Sequence, residues 1–501
     1  MTASNNLSSS SLKSSVLELS KHSLIYGVGI LSRLSSFILL PLHTAYLSQY
    51  DYGILTLVLS FIGIATVFMS YGLNVSFLRW YVPEEDPDER KKIFSVCYYG
   101  ITGVSLLLAV IFYMTSKPIA GLLLRESSYE PLFVIASLIL LTDALFHFPQ
   151  ILLQAQKKST SYVLIIFLNV ILNLGLNYYL VVIRGAGIEG VLYAALIASA
   201  VSFLVITPIS IKNLTIYFSF KKYREFFFYG IPYVANSVFV VMIDLIDRFM
   251  LERFISVETV AVYSANYKLG SAMAIIVNAF RLAWHPFFLS ISKSPDAKRT
   301  YSRVFTYFLL LLSGAFLLIS IFIDDLVRMN IFGFHLIAEE YWEGTFIIPW
   351  ILFSYLIAGA YVIFAAGIHI EKITRFTPIF TGAGVITNIV ANIFLIPLIG
   401  IYGAAISTLL GYIVMTSIQY FTVQKYYYIR YEFLRVLKII GALLLVFVTH
   451  EYILVDPGFI TKLLLVISFP IILQFTGFFL KSEWLEMKSL TLKLLGKVKK
   501  D

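Results

Sequence analysis

Apolar runs of roughly 20 residues, separated by short polar joints, fill the chain from residue 22 almost to its end. A helix rising 1.5 Å per residue needs about 20 mostly apolar residues to cross a hydrocarbon core of ~30 Å. Fourteen runs meet that length: 22–46, 53–81, 93–115, 131–155, 161–183, 188–211, 225–252, 258–280, 302–323, 345–369, 376–397, 400–422, 436–454 and 459–479. The joint between 376–397 and 400–422 leaves room only for a tight turn at Gly400. The pattern predicts an all-α polytopic membrane protein of about 14 transmembrane helices.

Composition excludes a water-soluble alternative. Apolar types make up 59% of the chain and charged types 13%, against the roughly 25% charge of a soluble domain. The single cysteine, Cys97, rules out an intramolecular disulfide. Ser and Asn crowd the first 21 residues, which read as a disordered cytoplasmic tail. Lys13 and Lys21 before an apolar run imitate a secretory leader. That run is too long for one, carries Arg33 and lacks an A-x-A cleavage site, so it reads as a retained first span.

Charge then orients the spans. With the N-terminus in the cytoplasm, 27 of the 38 Lys and Arg residues fall in cytoplasmic segments and six in outside loops. Those six are Lys117, Arg125, Arg184, Arg253, Arg328 and Lys462. Acidic residues divide evenly and do not drive the assignment. Both termini are expected on the cytoplasmic side. The basic residues are spread over every inner loop, which speaks against a nucleic-acid partner.

The two halves echo each other in order. Tyr26-Gly27 is matched by Tyr229-Gly230. Phe77-Leu78-Arg79-Trp80 with Pro83 is matched by Phe280-Arg281-Leu282-Ala283-Trp284 with Pro286. Asn169 and Asn173, followed by Gly187-Ile188-Glu189-Gly190, are matched by Asn388 and Asn392, followed by Gly400-Ile401-Tyr402-Gly403. Six spans per copy is an even number, so the repeats run parallel, about an axis along the membrane normal. The expected division is a tail at 1–21, a six-helix lobe at 22–211, a cytoplasmic linker at 212–224, and a second lobe at 225–422. Two further helices at 423–480 and a basic cytoplasmic tail at 481–501 complete it. A cavity between two such lobes, reached by rocking one against the other, suits transport.

Charges inside spans are costly and mark function or pairing. They are Arg33, Arg79, Asp143, Asp244, Asp247, Arg248, Lys268 and Arg281. Arg33 sits halfway along its span without a local acidic partner; Asp143 on another helix is a candidate. Asp247 is a candidate partner for Lys268. Asp244 and Arg248, four apart on one helix face, either pair locally or face the cavity. Arg79 and Arg281 read as cavity-mouth cations or as interfacial anchors. His147, four residues from Asp143, offers a proton-relay pair. Asn74, Asn236, Asn266 and Asn278 either line the cavity or join helices. The excess of cations favours an anionic substrate, and guanidinium suits phosphate because it stays charged and offers several donors. No spacing suggests a metal site. No nucleophile–base pair, phosphate-binding Gly-rich loop or nucleotide-binding domain is evident, so an enzyme is not expected.

Further residues carry a family likeness. They are Tyr26 to Gly53 with Leu47 and Asp51-Tyr52-Gly53, Gly72-Leu73-Asn74 with Arg79, Asp247-Arg248-Phe249, Trp284-x-Pro286-Phe287, and the stretch from Asn388 to Ala405. Over about residues 20–480 the chain resembles polysaccharide transporters. These are lipid-linked oligosaccharide flippases of the multidrug/oligosaccharidyl-lipid/polysaccharide exporter superfamily. The resemblance implies two six-helix lobes forming a V plus two C-terminal helices. It implies transfer of an undecaprenyl-pyrophosphate-linked oligosaccharide, such as an O-antigen or capsule repeat unit, across the bacterial cytoplasmic membrane. Arg33, Arg79, Arg248, Lys268 and Arg281 would then serve as a cationic cavity for the pyrophosphate. Asp143, Asp244, Asp247 and His147 would serve ion coupling or pair with those cations. The drive would be Na+, H+ or membrane potential, with no cofactor. Membrane lipids and polysaccharide polymerase machinery are the implied partners. The alternative is a cation-coupled multidrug exporter of the same superfamily.

Overall fold

A computed structural model describes residues 31–331, 333–454 and 457–479. The chain there is helical almost throughout. In order, α1 is Leu31–Tyr46, α2 Gln49–Ser70, α3 Leu73–Tyr81, α4 Pro87–Met114, α5 Ser116–Leu123 and α6 Glu130–Ala155. Next come α7 Ser159–Asn177, α8 Gly187–Asn213, α9 Phe220–Phe254, α10 Val257–Gly270, α11 Ala272–Ile291 and α12 Ala297–Ile321. Last are α13 Ile323–Arg328, α14 Ile348–Ile370, α15 Thr377–Ile399, α16 Ile401–Tyr426, α17 Phe433–Val448 and α18 Phe459–Phe475. Two two-residue strands, β1 (Asn330–Ile331) and β2 (Phe334–His335), pair antiparallel between α13 and α14.

The joints carry the expected start signals. Ser48, Asp86, Ser219 and Ser256 cap α2, α4, α9 and α10, each accepting a first-turn amide on its side-chain oxygen. Pro87 follows the Asp86 cap at a position where its missing N–H costs nothing.

Among the described residues twelve helical stretches, not fourteen, are long and apolar enough to cross a membrane. The first expected run is described only from Leu31 onward, as 16 helical residues. The last is helical for 17 residues, a little short for a full crossing. The expected run 258–280 breaks at Ser271 into α10 and α11. A matching interruption divides α2 from α3 at Tyr71 and Gly72, whose φ angles are 30° and 77°. Both breaks lie in the second span of an expected repeat.

Packing runs through adjacent helices within each half. α4, α7 and α8 gather about α6 in the first. α14, α15 and α16 pack together in the second, with α9 against α15. Contact between the halves is concentrated where α2 meets α9 and α10, and where α3 meets α9. α17 and α18 lie outside this arrangement, chiefly against α12. Arg435 fastens them there: it donates to the Tyr307 hydroxyl of α12 at 3.2 Å, pairs with Glu432 at 3.0 Å and stacks over Phe478 at 4.5 Å.

Polar ties bridge the halves at both ends of the α2–α9 contact. At one end Lys222 pairs with Glu89 at 2.8 Å, Tyr223 donates to Tyr71 at 3.2 Å, and Ser76 donates to the Phe226 carbonyl at 2.7 Å. At the other end Arg125 pairs with the nearly buried Glu252 at 3.0 Å and donates to the Arg253 carbonyl at 2.7 Å. If these halves part during a transport cycle, a disulfide between Arg125→Cys and Glu252→Cys should arrest transport and a reductant should restore it. The native Cys97 is buried and will not interfere. Unchanged transport by a fully cross-linked protein would show that this end stays closed.

Candidate functional site

α9 organises the site. One helical face carries Tyr229, Tyr233, Ser237, Val240 and Asp244 at three- and four-residue steps. Tyr233, Ser237 and Val240 are exposed, and the exposure ends at Asp244. Three residues further on, Asp247 is turned into the second-half bundle.

Asp247 is fully buried and ties α9 to three other helices. Its Oδ1 accepts from Asn388 at 3.0 Å and Asn392 at 2.6 Å, both on α15. Its Oδ2 accepts from Tyr263 on α10 at 2.7 Å and Thr408 on α16 at 2.5 Å. An ionised carboxylate has about four lone-pair sites, and all are filled. The expected Lys268–Asp247 pair is therefore absent. Asn388 and Asn392 meet one carboxylate because an i, i+4 step places both on one face of α15. Asn392 Oδ1 is buried without a hydrogen-bond partner among the described residues.

Asp244 holds a second cluster. Its Oδ1 accepts from Tyr412 at 2.8 Å, Tyr267 at 3.0 Å and Tyr355 at 3.4 Å. The expected Asp244–Arg248 side-chain pair is replaced: Arg248 Nη1 donates to the Asp244 main-chain carbonyl. The guanidinium lies over the Tyr267 ring at 4.7 Å. Tyr267 thereby links cation and carboxylate, and three tyrosines outcompete Arg248 for the oxygen. The Lys268 ammonium, half-buried beside Arg248, makes no hydrogen bond or ion pair among the described residues. Its charge also reaches His43 on α1, whose Nε2 lies 2.9 Å from Asn177 Oδ1. Lys268 thus stands where the two halves face each other.

Arg79 and Arg281, matched in the repeat, are both exposed. Arg79 stacks over Tyr229 at 5.1 Å. The charge of Arg281 reaches Tyr361 and Tyr412, the second of which donates to Asp244. The matched tryptophans differ: Trp284 is buried among Phe280, Phe288 and Tyr301, whereas Trp80 is only half-buried.

Asp143 and His147 do not form a relay. Asp143 accepts from Ser199 at 2.6 Å, and His147 Nδ1 lies 3.3 Å from Gln150 Oε1. Four residues along a helix bring two side chains near each other, but here each has a better partner. Arg33 belongs to α1, and its side chain lies outside the described residues, as does an Arg33–Asp143 pair. Asn236 and Asn266 join helices, through Thr381 and the Tyr341 carbonyl.

The structure thus brings Asp244, Asp247, Arg248 and Lys268 together, with Arg281 close by. Tyr263, Tyr267, Tyr355, Tyr412 and Thr408 belong to the site too, and sequence reasoning passed over them as span residues. Their signal was a polar tip at mid-span, which an abundance of interfacial tyrosines obscures.

The model of the polysaccharide biosynthesis protein family matches residues 19–292, just over half of the chain. The chain belongs to that family. No curated protein sequence matches it. Among solved structures, the lipid II flippase MurJ in an inward-closed conformation is similar, with a TM-score of 0.73 at 17% identity, covering 90% of this chain and 97% of its own. The Vibrio cholerae MATE transporter VcmN is similar at a TM-score of 0.61 and 16% identity, covering 83% of this chain and 98% of its own. An inward-facing multidrug MATE transporter of the MOP superfamily gives 0.59 at 14%, covering 79% and 97%. At these identities the likeness establishes the fold. This member of the polysaccharide biosynthesis protein family is therefore a polytopic membrane protein with the fold shared by these transporters.

Proposed function

We propose that the protein is a flippase that carries an undecaprenyl-pyrophosphate-linked oligosaccharide from the cytoplasmic to the outer leaflet of a bacterial cytoplasmic membrane. Both termini lie in the cytoplasm, and the polymerase that extends the glycan acts on the product outside. The observation that carries this reading is the unspent positive charge between the halves. Lys268 has no anionic partner among the described residues, and Arg248, whose charge also acts on Asp244, makes its hydrogen bond to a carbonyl and stacks on aromatic rings there. An anion entering there gains charge-assisted hydrogen bonds that the protein does not already make for itself. The multidrug reading needs an available carboxylate for cationic drugs. Asp247 lies fully buried inside the second-half bundle, where a bulky drug cannot reach it, and three tyrosines crowd one oxygen of Asp244.

The drive, in this reading, acts at Asp247. Asp247, Thr408, Asn388 and Asn392 supply oxygens, and hard cations take oxygen ligands. Asn392 Oδ1, buried without a partner among the described residues, is the donor such an ion would satisfy. These residues would hold a small monovalent cation. Rotation of the two amides exchanges their N–H donors for ligand oxygens.

The test is transfer of fluorescent polyprenyl-pyrophosphate-linked oligosaccharide across reconstituted liposomes, read by quenching in the outer leaflet. Lys268→Gln should cut the rate about 10- to 100-fold, the worth of one charge-assisted hydrogen bond. Stability should change little, because no partner is orphaned. Wild-type rates in Lys268→Gln would remove Lys268 from the substrate path, and no transfer by wild-type protein would overturn the flippase reading.

A further inference from the structure

We infer that a saccharide-binding subsite lies where α3 crosses α9, built from the rings of Trp80, Tyr229 and Tyr233 with the Arg79 guanidinium as its hydrogen-bonding arm. The inference deepens the flippase reading and rests on it for the identity of the natural ligand.

The two halves each contribute one side. Arg79 and Trp80 come from α3, and Tyr229 and Tyr233 from α9. Trp80 and Tyr229 meet edge to face, with centroids 5.0 Å apart and planes at 86°. Tyr233 continues the row one turn on, 6.0 Å from Tyr229. The buried Phe226 props Trp80 from below at 4.9 Å. The platform is therefore fixed by packing rather than assembled on demand.

Its exposed parts are the ones a sugar needs. Arg79 is exposed, and Tyr233 is 39% exposed. No carboxylate pairs with Arg79 among the described residues; its contacts are the rings of Trp80 and Tyr229. A stacked guanidinium keeps its N–H donors free at the rim. A pyranose ring has a C–H face that packs on an aromatic face and a rim of hydroxyls that accept from guanidinium. A belt at the membrane interface would also explain exposed aromatics. On α9, however, Phe228, Ile231 and Ala235 are exposed on the opposite face. Tyr229 and Tyr233 share their face with Asp244. From Tyr233 to Arg248 is 15 residues, about 22 Å of helix. An anionic group held at Arg248 and Lys268 thus leaves its attached sugars room to extend to the platform.

The test uses purified full-length protein in detergent, with short neutral oligosaccharides as one set of probes and inorganic pyrophosphate as another. Neutral sugars should produce a saturable change in tryptophan fluorescence that disappears in Trp80→Phe. Tyr233→Ala and Arg79→Lys should each weaken that binding about 2- to 10-fold, whereas Tyr233→Phe, which keeps the ring, should bind as wild type. Pyrophosphate binding should fall in Lys268→Gln and stay unchanged in Tyr233→Ala. Two results would overturn the subsite: no saturable Trp80-dependent signal from any neutral sugar, or equal losses of sugar and pyrophosphate binding in Tyr233→Ala. The flippase reading fails separately, by the absence of liposome transfer in wild-type protein.

Discussion

Asp247→Asn should abolish transport and lower the melting temperature of the purified protein. The carboxylate accepts from Tyr263, Asn388, Asn392 and Thr408, so an amide in its place turns one acceptor into a donor that faces other donors. Each buried polar group left without a partner costs about 1–3 kcal/mol, and at least two lose theirs. The expected destabilisation is about 2–6 kcal/mol, read as a thermal shift in detergent. A second arm separates structure from coupling. A cation that binds the folded state raises its melting temperature as concentration increases. Wild-type protein should show that rise for one of Na+ or H+, against choline or neutral pH, and Asp247→Asn should lose it. A mutant that melts and transports like wild type would mean that the four hydrogen bonds are worth little and that the drive enters elsewhere.

Alanine at the crossing of the two halves comes next in expected effect. Gly72 and Gly230 touch through their backbones where α3 begins against α9. A Cβ on Gly72 would run into the Gly230 carbonyl, and a Cβ on Gly230 would lie 2.7 Å from the Gly72 oxygen. Backbone cannot swing aside as a flexible side chain can. Gly72 also has φ of 77°, where an L side chain costs about 1–2 kcal/mol, so Gly72→Ala carries both penalties and Gly230→Ala only the steric one. Overpacking adds about 1–3 kcal/mol. Both variants should lose folded yield on size-exclusion chromatography, Gly72→Ala the more, and the survivors should transport slowly. Wild-type yield and transport in both would show that the halves separate easily at this crossing.

How far the chain could be read depended on which rule each residue obeys. Span positions follow from one-dimensional arithmetic: a bilayer demands runs of fixed length, and α4, α6, α12 and α14 overlap the expected runs closely. Breaks inside spans were harder. The interruption after Gly270 removes little hydrophobicity from its window, so it leaves no trace in a run-length reading. Pairing of charges was the least legible. Asp244 and Arg248, or Asp143 and His147, sit at helical-neighbour spacing. That spacing cannot register a tyrosine or serine arriving from a helix more than 50 residues away.

The sequence by itself determined that the chain spans a membrane many times, that its second half repeats motifs of its first, and that its intramembrane charges lean positive. All three are properties of composition and order, which lipid imposes locally. Only the tertiary structure decided what each charge faces. It closed Asp247 inside a ring of four donors, gave Asp244 to three tyrosines, and left Lys268 where the halves meet, unpaired among the described residues. The reason is that a partner is set by helix rotation and crossing. Those depend on close contacts such as Gly72 against Gly230, between residues far apart in the chain.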